Sequence, residues 1–240
     1  ILRDSMTSKT AIDNAMTYAF KYGFDKVFIQ IRGRGYAFYN SKIVPKNPVI
    51  VNINFDPLKY AIQLGKIFDI EVHAWFNTYI LWSSTYEPND SNHLFHTNKN
   101  WTEGNMYGKM DYTIDLKSPK VPNWEGIYLS PLHPEVNQYL YSIIKEILDN
   151  YKVDGIHFDY IRYQDDIYGY NKKVRKIFED IYSIDPMNIA KGIISTRFGW
   201  SPEFVDSIET TWEKYKQNAI TELLEMVRTN VNNLNRDIQL

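Results

Sequence analysis

The chain has 240 residues and a net charge of −2, and hydrophobic and charged residues make up 44% and 23% of it. These ordinary values exclude disordered, collagen-like and coiled-coil chains. The lack of a basic excess argues against bulk nucleic-acid binding. The sequence contains no cysteine, which excludes thiol catalysis, cysteine-ligated zinc and disulfides. No apolar run reaches the length of a membrane span.

Short apolar strands alternate with amphipathic helices along the chain, which predicts parallel strands joined by crossover helices. Residues 1–3 resemble the end of a strand, and residues 237–240 resemble the beginning of another. Between them we predict, in chain order, helix 7–22, strand 26–32, helix 57–68, strand 70–77, helix 134–151, strand 154–160, helix 171–183 and a helical region 201–233. Whether this last region breaks near Thr210 is left open.

The segment 78–133 separates two of the predicted strands and is too long for an ordinary connection. Segments of this length are usually functional or carry small elements of their own. This one follows the C-terminal end of a predicted parallel strand, where (β/α) barrels build their active sites. We therefore expect it to lie near a functional site.

Three predicted strands are apolar on one face and become polar on the other towards their C-terminal ends. A parallel strand that is buried on both faces should be apolar on both. Burying arginine, histidine, asparagine and aspartate together is costly unless they are paired or face a wet cavity. The polar faces carry Phe28, Gln30 and Arg32, then Glu71, His73, Trp75 and Asn77, then Gly155, His157 and Asp159. This pattern predicts a polar pocket at the C-terminal mouth of a barrel.

Asp159 is the predicted reacting carboxylate because it lies at the tip of its strand. We expect Arg162 and Arg32 to approach it, since nearby cations keep a carboxylate ionised and nucleophilic. His157, two residues earlier on the same face, should lie one layer deeper. The structural alternative is an ion pair between Asp159 and Arg162 that only braces the loop.

The remaining polar-face residues are predicted to bind substrate. Trp75 is a natural platform for a sugar ring, and His73 and Asn77 can bond hydroxyl groups, although His73 also suits a satisfied inner layer. The run Arg32-Gly33-Arg34-Gly35 has the wrong spacing for a phosphate loop and could equally be a solvated turn. The predicted substrate-binding set is Gln30, Arg32, Arg34, His73, Trp75, Asn77, His157 and Arg162.

No cofactor and no metal are predicted. His93 and His96 have a spacing that binds metals on helices, but they lie in a loop-like region without a third ligand. Glu125 and Asp111 are the best internal candidates for a second catalytic carboxyl, and both lie in the long segment.

Several motifs together resemble the bacterial glycosyl-hydrolase-like family ten, in order along the whole chain. They are Gly23-Phe24 with the strand from Val27 to Gly35, Val72-His73-Ala74-Trp75, Ser130-Pro131 with His133 to Val136, and the specific run from Asp154 to Tyr163. Two positions depart from the family pattern. Tyr36 stands where the family usually has aspartate, which puts substrate preference in doubt, and Gln164 stands where it usually has proline.

The resemblance implies a (β/α)8 TIM barrel that hydrolyses glycosidic bonds in glycan strands of the bacterial cell envelope, and hence an exported protein. Residues 1–240 are expected to be a partial barrel domain cut at both ends, with strands one to four, the start of strand five and a long insertion after strand three. The second carboxyl is then expected on a later strand.

Two other functions stay open on the sequence. One is a non-catalytic glycan-binding barrel, which would keep the aromatic and arginine residues without the acid. The other is a metal-dependent deacetylase or hydrolase that uses His73, His157 and Asp159. A polysaccharide is the expected partner, nucleic acid is not, and the oligomeric state is left open.

Overall fold

The computed structural model describes residues 1–121, 124–193 and 199–240. These residues form two compact units. Unit 1 comprises Ile1–Thr78, Tyr141–Ile161 and Met226–Leu240, and unit 2 comprises Tyr79–Leu140 and Arg162–Glu225.

The predicted helices and the three predicted internal strands occur in the predicted order, and five short strands or α-helices occur in addition among the described residues. The strands are β1 (Lys26–Gly33), β2 (Tyr36–Ala37), β3 (Glu71–Asn77), β4 (Ile80–Trp82), β5 (Ile127–Tyr128) and β6 (Gly155–Asp159). The helices are α1 (Lys9–Lys21), α2 (Pro57–Phe68), α3 (Leu94–Thr97), α4 (Val136–Asn150), α5 (Lys172–Tyr182), α6 (Pro186–Ala190) and α7 (Pro202–Asn232). The additional short elements are β2, β4, β5, α3 and α6.

Unit 1 is built on a sheet with the strand order β2-β1-β3-β6, in which β1, β3 and β6 are parallel. The two chain ends extend this parallel set on either side. The Gln30 amide donates to the Ile1 carbonyl at 3.0 Å, and the Ile156 amide donates to the Gln239 carbonyl at 2.9 Å. The predicted parallel arrangement is therefore confirmed, except that Arg3–Met6 forms a 3-10 helix.

The helices of unit 1 begin at side-chain caps that the sequence contains. Ser8 accepts a hydrogen bond from the Ala11 amide at the start of α1. Asp56 does the same for the Lys59 amide at the start of α2, where Pro57 occupies the first turn. The buried residues of these helices recur at helical spacing, as in Ile12, Met16 and Ala19 of α1, so each helix turns one apolar face inward.

Unit 2 contains most of the long segment, which carries small elements of its own. The antiparallel pair β4–β5 and the short α3 lie within it. A second apolar core brings α5, α6 and α7 together with Leu132, Tyr170 and Ile184; its helical members are Val174, Phe178, Met187, Ile208, Trp212 and Ala219. Helix α7 continues through Thr210 without the break that was left open. Among the described helices, none has the length and apolarity to cross a membrane.

Close packing between β3 and β6 depends on the absence of a side chain at Gly155. A β-carbon at this position would overlap the His73 ring and lie 2.9 Å from the Gln239 carbonyl oxygen. We expect Gly155→Ala to lower the free energy of unfolding by about 1–3 kcal/mol, measured by chemical denaturation, because overpacking displaces the ring or the strand. Gly33→Ala is the control, since its nearest neighbour would lie 3.4 Å away. Equal stabilities of the two variants would contradict this packing.

Candidate active site

The register of the parallel strands aligns five of the predicted site residues on one face of the sheet. Gln30, Trp75 and His157 are opposite one another in one row. Asn77 and Asp159 face each other in the next row, at the C-terminal ends of β3 and β6. These ends are where parallel sheets position functional groups.

Asp159 is half-buried and held by two neutral donors. The indole nitrogen of Trp75 donates to Oδ2 at 3.0 Å, and the backbone amide of Tyr160 donates to Oδ1 at 2.9 Å. Tyr160 has a φ of 52°, an unusual value for a residue with a β-carbon. The Asp159 carbonyl also accepts from the Thr78 amide at 2.7 Å. The carboxylate is therefore oriented on both oxygens, and no ion pair forms with it in the described part of the chain.

Asn77 lies beside Asp159 and has an unusual hydrogen-bonding state. Its side chain is buried, and its Oδ1 has no hydrogen-bond partner within the described residues. Buried polar atoms are nearly always bonded, so an exception calls for a specific explanation. A donor group on a bound ligand would supply the missing partner.

The two histidines of the sheet face differ in exposure. His157 is exposed and packs edge-on against Phe28 and Trp75, with ring centroids 5.2 Å and 6.1 Å apart. His73 is buried and bonds Glu71 at 3.1 Å. Hydrogen bonds from His73 and Lys26 lower the pKa of Glu71. His73 therefore matches the alternative of a satisfied inner layer better than a substrate ligand.

Gln30 lies in the same row as Trp75, but its side chain already has a partner. Its Oε1 accepts a hydrogen bond from the Arg3 amide at 3.3 Å, and only 8% of the residue is exposed. The amide nitrogen is the part of Gln30 that remains suited to a ligand.

Arg32 lies on the opposite face from the one predicted. The register shifts between Gln30 and Arg32, so that Arg32 is opposite Phe76 and not beside Gln30. Its guanidinium lies 5.1 Å from the Phe76 ring centre and donates to the carbonyls of Asn77 and Thr78, the latter at 3.1 Å. With 1% exposure, Arg32 is a structural residue, and its predicted place beside Asp159 is wrong because the irregularity interrupts the alternation.

Arg34 occupies a hairpin turn between β1 and β2. Arg34 and Gly35 have φ values of 51° and 69°, the signature of a two-residue turn joining antiparallel strands. The structure therefore shows a turn at Arg34, which was one of the two alternatives that the sequence left open.

Arg162 forms its ion pair with Glu125. Its Nη2 contacts both oxygens of Glu125, at 2.8 Å and 3.1 Å, and Nη1 donates to the carbonyls of Tyr163 and Gln164. The hydroxyl of Tyr128 also donates to Glu125. Arg162 therefore braces unit 2 through a bidentate pair with Glu125, a partner that the sequence did not indicate. Glu125, a candidate acid, is ion-paired at a position where its side chain stays 41% exposed.

Asp111, the other candidate acid, is buried beside a carboxyl that sequence reasoning missed. Asp111 accepts from the Tyr128 amide at 2.9 Å, and Glu103 accepts from the Gly169 amide at 2.5 Å. Burial raises the pKa of Glu103 to about 7, and burial with the charge of Glu103 raises the pKa of Asp111 well above its usual value. Glu103 stands between Thr102 and Gly104 in a region without periodicity, so no signal marked it as buried.

His93 and His96, the suggested metal ligands, instead form hydrogen bonds within their own loop region. His93 Nδ1 accepts from the Phe95 amide at 3.1 Å, and His96 Nε2 bonds the Pro88 carbonyl at 2.7 Å. In the described part of the chain, no three histidine, aspartate or glutamate side chains come together as a metal site. His73, His157 and Asp159 thus do not form the cluster that a metal-dependent hydrolase would need.

A family model described as Glycosyl hydrolase-like 10 matches residues 2–240, so the chain belongs to this family. Membership supports a glycoside-hydrolase-like function at the level of the family. Glycosyl hydrolase DigH of Escherichia coli K12 is 28% identical over 144 residues, 58% of this chain and 31% of that protein. Glycosyl hydrolase YngK of Bacillus subtilis 168 is 26% identical over 149 residues, 58% of this chain and 25% of that protein. The matched region thus spans less than a third of either relative.

Two solved structures share the fold. A hypothetical protein from Ruminiclostridium thermocellum superposes with a TM-score of 0.56 at 14% identity, covering 99% of this chain and 94% of that one. Alpha-L-fucosidase isoenzyme 2 from Paenibacillus thiaminolyticus superposes with a TM-score of 0.58 at 15% identity, covering 91% of this chain and 27% of that one. At these identities the likeness concerns the fold alone.

The buried pair Glu103 and Asp111 predicts a pH-dependent stability. The unfolded chain releases the Glu103 proton near the usual value of 4.5, and the folded protein releases it near 7. The stabilising contribution is therefore complete below about pH 4.5 and is lost as the pH rises through 7. From pH 4.5 to pH 7, we expect the free energy of unfolding of Glu103→Gln to rise by about 1–3 kcal/mol relative to that of the natural protein, measured by chemical denaturation.

The comparison between variant and natural protein is needed because His133 has the opposite effect. Burial lowers the pKa of His133 to about 4, so this residue stabilises the fold increasingly as the pH rises. Glu225→Gln, at an exposed position, is the control. A difference between Glu103→Gln and the natural protein that stays constant from pH 4.5 to 7.5 would contradict the raised pKa of Glu103.

Proposed function

We propose that this protein is a glycoside hydrolase in which Asp159 is the reacting carboxylate. The observation that carries the proposal is the position of Asp159 at the C-terminal end of a parallel strand, where Trp75 orients it. Asn77 lies opposite Asp159, and its side-chain oxygen has no hydrogen-bond partner among the residues that the structure describes. Family membership supports the same class of reaction. The substrate we propose is a bacterial envelope polysaccharide such as the glycan strands of peptidoglycan, and the protein is then exported.

We further propose that the complete domain is a (β/α)8 barrel. Ile1, β1, β3, β6 and Gln239 lie side by side in chain order and run parallel, as the first strands of such a barrel do. In a closed barrel the face that carries Trp75 and His157 points inward, and its C-terminal end forms the mouth of the active site.

Glycoside hydrolysis normally needs one ionised and one protonated carboxyl. The two lie about 5–5.5 Å apart in retaining enzymes and about 6.5–9.5 Å apart in inverting ones. Asp159 suits the ionised role, as the nucleophile that attacks the anomeric carbon or as the base that activates water. The protonated carboxyl, which donates to the departing oxygen, is proposed to come from a later strand of the barrel.

Trp75 has two proposed roles at this site. Its indole N–H orients Asp159, and its ring edge borders the face where a sugar ring would stack. Asn77 and His157 are proposed to bond sugar hydroxyls, because both carry groups that can donate or accept hydrogen bonds.

A non-catalytic glycan-binding protein is the second candidate, and one observation favours it. Within the described part of unit 1, Glu71 is the other carboxylate on the face that carries Asp159. Glu71 begins β3 and is bound to Lys26 at 3.0 Å, whereas Asp159 ends β6. Six residues along a strand separate the row of Glu71 from that of Asn77, about 20 Å, which is too far for a catalytic pair.

The substitution Asp159→Asn distinguishes a glycoside hydrolase from a non-catalytic glycan-binding protein. We expect this variant of the full-length protein to lose at least a thousandfold in glycan cleavage while it keeps its affinity, because the amide fills the same space without a negative charge. Release of reducing ends from purified peptidoglycan and co-sedimentation with it measure the two properties. Asp25→Asn, at an exposed position, is the control. Cleavage that survives in Asp159→Asn would refute its catalytic role.

Trp75→Phe tests whether the indole N–H positions the carboxylate. We expect kcat to fall about ten- to a hundredfold with little change in KM, since a hydrogen bond to a charged group is lost and the ring surface remains. Trp101→Phe is a matched control, because Trp101 Nε1 donates to another carboxylate, that of Glu135, at 3.2 Å. A similar small effect of both substitutions would indicate that the indole bond is not needed.

A further inference from the structure

Unit 2 contains a cavity of about 450 Å³, and Arg162 is the one predicted site residue that lines it. Ligand pockets usually have volumes of about 300–1,000 Å³. One wall is the loop 162–166, which begins three residues after Asp159 in the chain, and the other is one face of α7. The α7 residues are Glu213, Lys216, Gln217 and Ile220, spaced as one helical face.

The walls of this cavity are fixed by their own hydrogen bonds. The Tyr163 hydroxyl donates to the Lys216 carbonyl at 3.0 Å and ties the loop to α7. Arg162 is held by Glu125, as described above. The Gln164 amide, oriented to suit its neighbours, donates to the Gly126 carbonyl at 3.0 Å and accepts from the Glu125 amide at 3.2 Å. A site whose walls are already ordered loses little conformational entropy on binding.

The charges that line the cavity leave an excess of hydrogen-bond acceptors. The Lys216 ammonium is paired with Glu213 at 2.8 Å, and Arg162 is paired with Glu125, which is not part of the lining. Asp165 accepts from the Asp166 amide at 2.5 Å, and neither aspartate has a cationic partner in the described part of the chain. The lining therefore favours ligands rich in O–H donors and disfavours anionic ones.

The other lining residues suit a sugar. Gln217 offers a donor and an acceptor from one amide, and Ile220 offers apolar surface for the C–H face of a ring. Lys216 lies 5.8 Å from the centre of the Tyr163 ring and occupies one of its faces. The ring of Tyr163 therefore stabilises the wall, and hydrogen bonds to hydroxyl groups would carry the recognition.

We propose that this cavity is a subsite for an uncharged sugar residue of the glycan, and that Asp165 and Asp166 exclude acidic sugars from it. The proposal rests on the proposed glycan-cleaving function and adds its substrate class. In a chain of amino sugars, the subsite would accept residues that carry only hydroxyl and acetamido groups. A carboxylate on the sugar would meet two carboxylates of the wall.

Binding of chitotetraose to the full-length Asp159→Asn protein tests the subsite without turnover, by isothermal titration calorimetry. We expect Asp166→Ala in this background to weaken binding about five- to tenfold, and Gln217→Ala about threefold. Asp206→Ala, at an exposed position of α7, is the control and should leave the affinity unchanged. Unchanged affinity in both cavity variants, or no binding of chitotetraose at millimolar concentration, would overturn the subsite.

A charged and an uncharged form of one oligosaccharide test the exclusion. Hyaluronan tetrasaccharide should bind at least tenfold more weakly than its carboxyl-reduced form. In the double variant Asp165→Asn/Asp166→Asn, the ratio of the two dissociation constants should fall about threefold or more. An unaltered ratio would overturn the exclusion. These results are independent of catalysis: loss of cleavage in Asp159→Asn with no effect of the cavity variants would defeat the subsite alone, and the reverse would defeat the proposed hydrolase alone.

Discussion

The candidate site depends on the register between β3 and β6. This register places Asn77 opposite Asp159 and Trp75 one row below, within reach of the carboxylate at 3.0 Å. Close packing across the pair depends on Gly155, which leaves room for the His73 ring where any side chain would collide with it. A shift by one residue would move Asp159 to the opposite face, because side chains alternate along a strand.

The five carboxylates of Glu71, Glu103, Asp111, Glu125 and Asp159 occupy three different environments. Glu71 and Glu125 are paired with cations, which neutralise their charge. Glu103 and Asp111 are buried, and burial raises the pKa of each. Asp159 alone among these five is oriented by neutral N–H donors while half-exposed, so each of its two oxygens has a fixed direction.

Alternation along the strands was enough to predict the parallel sheet and the face shared by Gln30, Trp75, Asn77 and Asp159, because period-two patterning follows from backbone geometry. Arg32 could not be predicted in this way. Its strand runs directly into a hairpin whose turn residues Arg34 and Gly35 have positive φ, and the register shifts just before that hairpin. Irregularities of this kind depend on pairing partners that a single strand does not reveal.

The long segment before α4 was the least predictable region. Its elements are two to four residues long, too short to produce a periodic signal. Glu103 and Asp111 are buried there through backbone donors from Gly169 and Tyr128, distant positions in the sequence. Ion pairing could not be assigned either: the sequence suggested Asp159 as a partner for Arg162, and the structure pairs Arg162 with Glu125.

A crystal structure of the full-length Asp159→Asn protein with a bound oligosaccharide of envelope type would test the central claim most directly. The account predicts that a glycosidic linkage lies within hydrogen-bonding or van der Waals distance of the residue at position 159, with a sugar ring against Trp75 and a hydroxyl on Asn77. A second carboxyl should flank the same linkage at about 5–10 Å. An oligosaccharide whose linkages all lie away from position 159, between two other carboxyls, would contradict it.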